Sequence, residues 1–232
     1  RETACRVAAG AVARKVIKHI LKREIKIRGA VTQVGVLSIN QNNFNWKSVG
    51  ANAFFCPDKK IVSVWEEYLS LIRKKGLSVG ATIRVNAIGV PSGIGEPVYG
   101  KLDTELAAAM MSINAVKGVE IGLGMDAASV TGDQNSDEIR AKGKKISFSS
   151  NNAGGILGGI STSQELDISL SVKPTSSILI PQKTINEKFK NTTISTKGRH
   201  DPCVGLRAVP IAEAMMALVL ADQIMRNRAQ CG

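Results

Sequence analysis

The stretch Ala-Thr-Ile-Arg-Val-Asn-Ala-Ile-Gly-Val, residues 81–90, alternates apolar and polar positions, the period of a strand with one buried face. Its neighbours on either side decide the fold class. Residues 91–97, Pro-Ser-Gly-Ile-Gly-Glu-Pro, form a turn-rich loop. Residues 102–111 read as a helix in which Ala107, Ala108 and Ala109 permit close packing, and 118–123 reads as a short strand. Toward the N-terminus, residues 2–21 carry apolar side chains at helical spacing (Ala4, Val7, Ala8, Ala11, Ile17, Ile20, Leu21). Residues 25–39 are β-rich, with Gly29 and Gly35 expected as bulges or points of close approach. A polar loop at 41–47 carries Phe44 and Trp46, and 61–75 reads as an amphipathic helix closed by Gly76. Toward the C-terminus, 132–145 is expected to be a polar, Lys-rich, mobile connection, 165–172 a strand and 184–193 a polar connection. The last helix is expected at 210–228, with Pro210 at its start. Strands and helices mixed without a regular βαβ repeat predict α+β layers, organised as one domain over residues 1–232.

Composition narrows the functional classes. At 44% hydrophobic and 22% charged residues the chain falls in the ordinary globular class. The longest uninterrupted apolar run, 214–221, lies between Glu213 and Asp222 and is far short of the roughly 20 residues of a membrane span. The opening Arg1-Glu2-Thr3-Ala4 has neither a signal-peptide layout nor an initiator Met, so a fragment of a longer polypeptide is expected. The formal charge of +12 suits an anionic partner, either a phosphate ligand or nucleic acid, although clusters such as Lys59-Lys60 and Lys74-Lys75 equally describe a solvated surface. With 4% aromatic residues there are few platforms for stacking bases, which counts against single-stranded nucleic acid. Cys5, Cys56, Cys203 and Cys231 are widely spaced and form no Cys-x-x-Cys pair, so neither a zinc site nor a disulfide framework is expected and a reducing cytosol fits. His19 and His200 are the only histidines, which argues against a His-centred metal site or a Ser-His-Asp triad.

Four segments carry chemistry. Arg199-His200-Asp201 places a guanidinium, an imidazole and a carboxylate on consecutive residues before Pro202, a cluster able to hold an anion and move a proton, or simply a loop ion pair. Residues 151–159, Asn-Asn-Ala-Gly-Gly-Ile-Leu-Gly-Gly, allow close backbone approach to a ligand or make a flexible turn; they match neither a Walker loop nor a dinucleotide fingerprint. Lys173, Pro174, Thr175, Ser176 and Ser177 follow a strand and offer an ammonium, three hydroxyls and backbone N–H groups as a phosphate cradle, or else a Ser/Thr-rich turn. Asn114, where the Ala-rich helix gives way to a strand, can cap the helix or read a ligand.

Taken together these strings closely resemble chorismate synthase. The matching segments are Arg-Glu-Thr-Ala (1–4), Gly-Val-Pro-Ser-Gly-Ile-Gly-Glu-Pro-Val (89–98), Met-Ser-Ile-Asn-Ala-Val-Lys-Gly-Val-Glu (111–120), the glycine run through Ile160, Lys-Pro-Thr-Ser-Ser (173–177) and Gly-Arg-His-Asp-Pro-Cys-Val-Gly-Leu-Arg-Ala-Val-Pro-Ile-Ala-Glu (198–213). The resemblance implies a layered β-α-β sandwich, incomplete at its N-terminus, and a cytoplasmic homotetramer associated with FMN and NADP. It implies a lyase that eliminates phosphate and a ring proton from 5-enolpyruvylshikimate 3-phosphate to give chorismate, the last step of the shikimate pathway. Reduced FMN is required without net redox change, and neither nucleic acid nor membrane is involved. Carried over residue by residue, Asn114, Ala115, Gly158, Lys173, Pro174, Thr175, Ser176, Ser177 and Arg199 match flavin-binding positions. Asp201 matches a carboxylate that helps a proton leave, and no metal is implied. The family's N-terminal segment, with Gly-Glu-Ser-His-Gly, further arginines and the catalytic histidines, has no counterpart here, and His19 and His200 are not its equivalents. Residues 1–232 alone are therefore expected to be inactive. The alternatives are a non-catalytic FMN- or phosphate-binding module and, on charge alone, a basic nucleic-acid-binding domain.

Overall fold

The computed structural model describes residues 2–143, 145–198 and 200–232. In chain order these form α1 (Glu2–Leu21), β1 (Lys26–Val34), β2 (Leu37–Ser38), α2 (Trp46–Val49), α3 (Val62–Lys74), β3 (Ala81–Ile88), α4 (Leu102–Met111), β4 (Val116–Ile121) and α5 (Gly132–Asn135). After α5 come β5 (Ile139–Lys142), β6 (Lys145–Phe148), β7 (Ile156–Leu157), β8 (Ile160–Ser161), β9 (Leu166–Val172), β10 (Gln182–Ile185), β11 (Asn191–Ile194) and α6 (Gly205–Cys231). Five strands make one sheet in the order β2-β1-β3-β9-β4, and three further pairs are two-stranded. This is an α+β chain, as the irregular alternation of patterns predicts. It divides into two compact units, the first comprising residues 1–29, 84–170 and 208–232, the second 30–83 and 171–207.

In the first unit the strand period is legible in burial. Val85 and Ala87 of β3 are buried, as are Leu166, Ile168 and Leu170 of β9. Between them, Arg84 grips Asp167 through two bonds (Nε–Oδ1 2.7 Å, Nη2–Oδ2 2.5 Å), and Asn86 donates to the same carboxylate at 3.1 Å. The α6 helix contributes Val209, Ala212, Met216, Leu220 and Ile224, a three-to-four-residue spacing, to the core. Gly29 is a point of close approach, as expected: a Cβ there would lie 2.9 Å from Val209 Cγ1. Its N–H donates to Glu213 Oε1 at 2.7 Å, while Arg14 donates to Oε2 at 2.9 Å. Burial pushes the Glu213 carboxyl up, against the pull of those two donors.

In the second unit Trp65, Leu69 and Ile72 of α3 are buried, and the Trp65 indole donates to the Leu37 carbonyl at 3.2 Å. The α3 helix closes as Gly76 predicts, with paired bonds from Leu77 to Ile72 (3.1 Å) and from Gly76 to Arg73 (3.0 Å). Gly35 occupies the turn between β1 and β2, with φ +55°, and is a point of close approach, as expected: a Cβ there would lie 2.6 Å from the Tyr68 hydroxyl oxygen.

Several expectations need correction. The connection at 132–145 contains α5 and then a hairpin of β5 with β6, which pairs Ile139 with Phe148 and Ala141 with Ile146. The apolar alternation is masked in the sequence by the surrounding lysines, and register makes it a face. The connection at 184–193 is likewise the hairpin of β10 and β11, whose loop is closed by Asn186 Oδ1 accepting from the Lys188 and Lys190 N–H groups at 3.0 Å each. The last helix begins at Gly205, five residues before Pro210, which sits inside it. Proline removes one helical bond, to the Leu206 carbonyl, and the helix continues because its buried face holds it. By length and composition α6 would pass for a membrane span, which the uninterrupted apolar runs do not suggest because Glu213 and Asp222 break the run without ending the helix. Its apolar stretch is 56% buried within the fold.

Candidate functional site

In the first unit Asn114 and Ala115 occupy the β-turn that joins α4 to β4, closed by Val116 N–H donating to the Ile113 carbonyl at 3.1 Å. Ala115 adopts φ +73°, a left-handed conformation that costs a residue with a Cβ roughly 1–2 kcal/mol. Backbone strain of this kind concentrates where a chain must present a particular surface. The Asn114 amide is exposed and caps nothing among the described residues; Ser112 and Ile113 N–H groups close α4 instead.

The glycine run is a structured clasp. Residues 158 and 159, at φ +61° and +83°, form the two-residue loop of the β7–β8 hairpin, which requires positive φ at both positions. The remaining glycines answer to packing. A Cβ on Gly155 would stand 2.6 Å from the Glu165 carbonyl oxygen, and one on Gly154 2.5 Å from the Gly122 nitrogen. Gly158 differs, since nothing lies within 4 Å of where its Cβ would be. Two residues that sequence reasoning missed secure this run. Asp137 accepts from Ser150 Oγ (2.6 Å) and from the N–H groups of Asn152 (2.7 Å) and Ala153 (2.9 Å). Burial raises its carboxyl, but these three donors outweigh that and hold it below the usual Asp range. The Ser161 hydroxyl, 3% exposed, donates to the Pro91 carbonyl at 2.6 Å and accepts from Ile94 N–H at 2.9 Å, tying the 89–98 loop to the hairpin. An acidic residue just upstream of a polar turn is the only sequence signal Asp137 offers.

In the second unit the turn at 173–177 leans on the segment after α3. The Ser78 hydroxyl donates to the Thr175 carbonyl at 2.7 Å, and a Cβ on Gly80 would lie 2.6 Å from the Val172 carbonyl and 3.3 Å from Pro174 Cδ. Within the turn, Ser177 N–H donates weakly to Thr175 Oγ1 (3.4 Å) and Ile178 N–H to the Ser176 carbonyl (3.0 Å). Lys173 is exposed and makes no ion pair among the described residues. Asp201 is held bidentately by Arg207 of the first turn of α6 (Nε–Oδ2 3.0 Å, Nη2–Oδ1 3.1 Å). Arg199 lies outside the described residues.

A cavity of about 410 Å³ lies beside both turns. Ser177 and Leu179 line it from one, Gly198, His200 and Pro202 from the other, and Arg73, Gly76 and Leu77 from the end of α3. The His200 Nε2 is withdrawn from water and has no hydrogen-bond partner among the described residues. A larger depression in the first unit, about 550 Å³ and lined by residues such as His19, Ser92 and Ile224, contains none of the sequence-predicted residues. Burial pushes the Cys56 thiol up to about 11 and raises that of Cys203, so both are protonated at neutral pH and unsuited to nucleophilic work. The structure thus brings Ser177 together with the neighbours of Arg199 and Asp201, while Asn114, Ala115 and Gly158 belong to the other unit.

The fold and these turns describe a mixed α+β chain with a cavity lined by Ser177 at the end of the Lys-Pro-Thr-Ser-Ser turn and by Gly198, His200 and Pro202. The family model described as chorismate synthase matches residues 1–225. Chorismate synthase of Pelagibacter ubique (strain HTCC1062) is 61% identical over 231 residues, covering all of this chain and 64% of its own length. That of Parvibaculum lavamentivorans is 58% identical over 232 residues, with 62% of its length covered. A solved structure titled "Crystal Structure of Chorismate Synthase" superposes with a TM-score of 0.81 at 30% identity, over 98% of this chain and 64% of that one. The chain belongs to the chorismate synthase family. It spans somewhat less than two thirds of the length of these relatives.

Proposed function

We propose that residues 1–232 are the larger part of a single-domain chorismate synthase that converts 5-enolpyruvylshikimate 3-phosphate to chorismate with reduced FMN, acting as a cytoplasmic homotetramer without nucleic-acid or membrane partners. The observation that carries this reading is that two family strings, 173–177 and 198–203, separated by twenty residues, frame one cavity. The residues present suit a phosphorylated flavin. Lys173 is an exposed ammonium in a hydroxyl-rich turn with no ion pair among the described residues, the Gly158 Cβ position is open, and Ala115 holds a strained turn next to an exposed amide.

In this reading Lys173, Thr175, Ser177 and Arg199 donate to phosphate and ring oxygens. Asn114 and Ala115 present a polar edge, and Gly158 lets the backbone approach the ring. Reduced FMN, when bound, supplies electron density that eases departure of the substrate's phosphate. Asp201 would serve as the proton acceptor at its carboxylate, and its bidentate partner Arg207 fixes the direction of its oxygens. Cationic donors in a confined cavity stabilise the departing phosphate far better than water does.

The test is an anaerobic assay with reduced FMN and the phosphorylated substrate, run on residues 1–232 and on the full-length gene product. Turnover by the full-length product and none by 1–232 is expected, because losing several donors at once multiplies single losses of about 10²–10⁴. Flavin binding without turnover by the full-length product would instead identify a binding module. Equal turnover by both would show that the site is complete within these residues.

A further inference from the structure

We infer that the cavity at the end of α3 is a phosphate-monoester site for which Arg73, a residue outside all of the family strings, supplies the outer cation. Four observations converge. Arg73 lines the cavity together with Ser177, Gly198, His200 and Pro202. Its guanidinium has no ion pair or hydrogen bond among the described residues, and no acidic side chain among them lines the cavity. His200, which also lines the cavity, leaves a ring nitrogen without a partner among the described residues, and a polar group left unpaired away from water is costly unless something later bonds to it. Finally, the wall is set rigidly. Gly76 N–H and Leu77 N–H close the helix from which Arg73 projects, and Leu179 N–H donates to the Gly76 carbonyl at 3.0 Å, which ties the helix end to the segment after the turn. A guanidinium, a hydroxyl and an imidazole around a space of this size match the three oxygens of a phosphate dianion, and the guanidinium can engage two of them side by side.

A cation in the last turn of a helix also complements the helix dipole, so the competing role for Arg73 is purely structural. The two roles separate by experiment. This inference rests on the flavin reading above, and both phosphate sources, FMN and the phosphorylated substrate, are tested. Full-length wild type, Arg73→Ala and Arg73→Lys are titrated with FMN, with riboflavin, which has the same ring without phosphate, and with 5-enolpyruvylshikimate 3-phosphate, while thermal unfolding is followed in parallel. If the cavity holds the flavin phosphate, Arg73→Ala weakens FMN by about tenfold and leaves riboflavin unchanged. If it holds the substrate phosphate, the same loss appears for the substrate and neither flavin moves. In both cases Arg73→Lys recovers part of the loss, since it keeps charge without the bidentate fork. Wild-type FMN binding with no change for any ligand in Arg73→Ala would overturn the inference and leave the flavin reading intact. So would an equal loss for FMN and riboflavin, which marks a structural role. A wild type that binds neither FMN nor substrate would overturn both.

Discussion

As sequence, the glycine hairpin of the first unit resembles the Lys-Pro-Thr-Ser-Ser turn of the other unit, each a short polar stretch beside a strand, yet their structures are opposite in kind. In the glycine run several groups are committed to one another among the described residues, although Asn151 Oδ1 is buried without a partner among them. Asp137 takes the N–H groups of Asn152 and Ala153, Ser161 bridges to the 89–98 loop, and Gly154 and Gly155 press against backbone with no room for a methyl group. In the turn the backbone is anchored by Ser78, but Ser177 and the neighbouring Arg73 line a cavity with their hydroxyl and guanidinium unengaged among the described residues, and the exposed Lys173 makes no ion pair among them. Within this run glycine serves packing, and only Gly158 faces open space, whereas the turn holds donors in reserve. A segment that has satisfied its hydrogen bonds internally is a scaffold. One that has not is where a ligand has something to gain.

That contrast is broken or sharpened by a short series of substitutions. The largest effect is expected at Asp201→Asn in the full-length gene product, which keeps size and loses the proton acceptor. Turnover should fall by about 10²–10⁴, while stability changes by less than about 1 kcal/mol because the Arg207 partner is 74% exposed. A rate within a factor of a few of wild type in the anaerobic assay would remove Asp201 from the chemistry.

Gly155→Ala comes next. A methyl group 2.6 Å from the Glu165 carbonyl oxygen, on a residue at φ +81°, should destabilise the fold by about 3 kcal/mol or more in urea unfolding. Gly158→Ala, facing open space at φ +61°, should cost only about 1–2 kcal/mol. If the two cost the same, backbone conformation alone explains the run and the packing account fails.

Asp137→Ala strips three donors of their acceptor and should cost about 2–3 kcal/mol, with faster amide exchange at Asn152 and Ala153. Its native carboxyl lies below the ordinary value, so the contribution is complete above the unfolded-state pKa and is lost as the pH falls through the lowered native one. The stability gap between wild type and Asp137→Ala should therefore close in acid, and a gap that widens there would contradict the sign.

The smallest effect belongs to Lys173→Ala. An exposed ammonium with no ion pair among the described residues contributes little to folding, so the melting temperature should hold while FMN binding weakens by about tenfold. An unchanged flavin titration would make the turn a bystander.

How much of the fold and site is legible in the sequence varies with the range of the interaction involved. The α1 helix, α3 with its Gly76 closure, the α4 helix and the alternating strands β3 and β9 follow from period and punctuation, which act over a few residues. The two peripheral hairpins escape a sequence reading because lysines and threonines dilute their apolar alternation, and only pairing across the loop reveals Ile139 opposite Phe148. The early start of α6 is hidden by Pro210, whose preference for a first turn is overridden by burial of Val209 and Ala212. The strings at 111–120, 151–160, 173–177 and 198–213 carry the family resemblance directly, because they are contiguous.

Sequence by itself determined the element types, the α+β class and the family, since local propensity and contiguous strings need no partner to be read. Only the tertiary structure decided that Asp137 and Ser161 clamp the glycine run, that Arg73 shares a cavity with Ser177 and His200, and that Gly154 and Gly155 are steric necessities. Those are contacts between residues far apart in the chain. Their distances are set by packing, and nothing in the order of the residues encodes a distance until the chain has closed on itself.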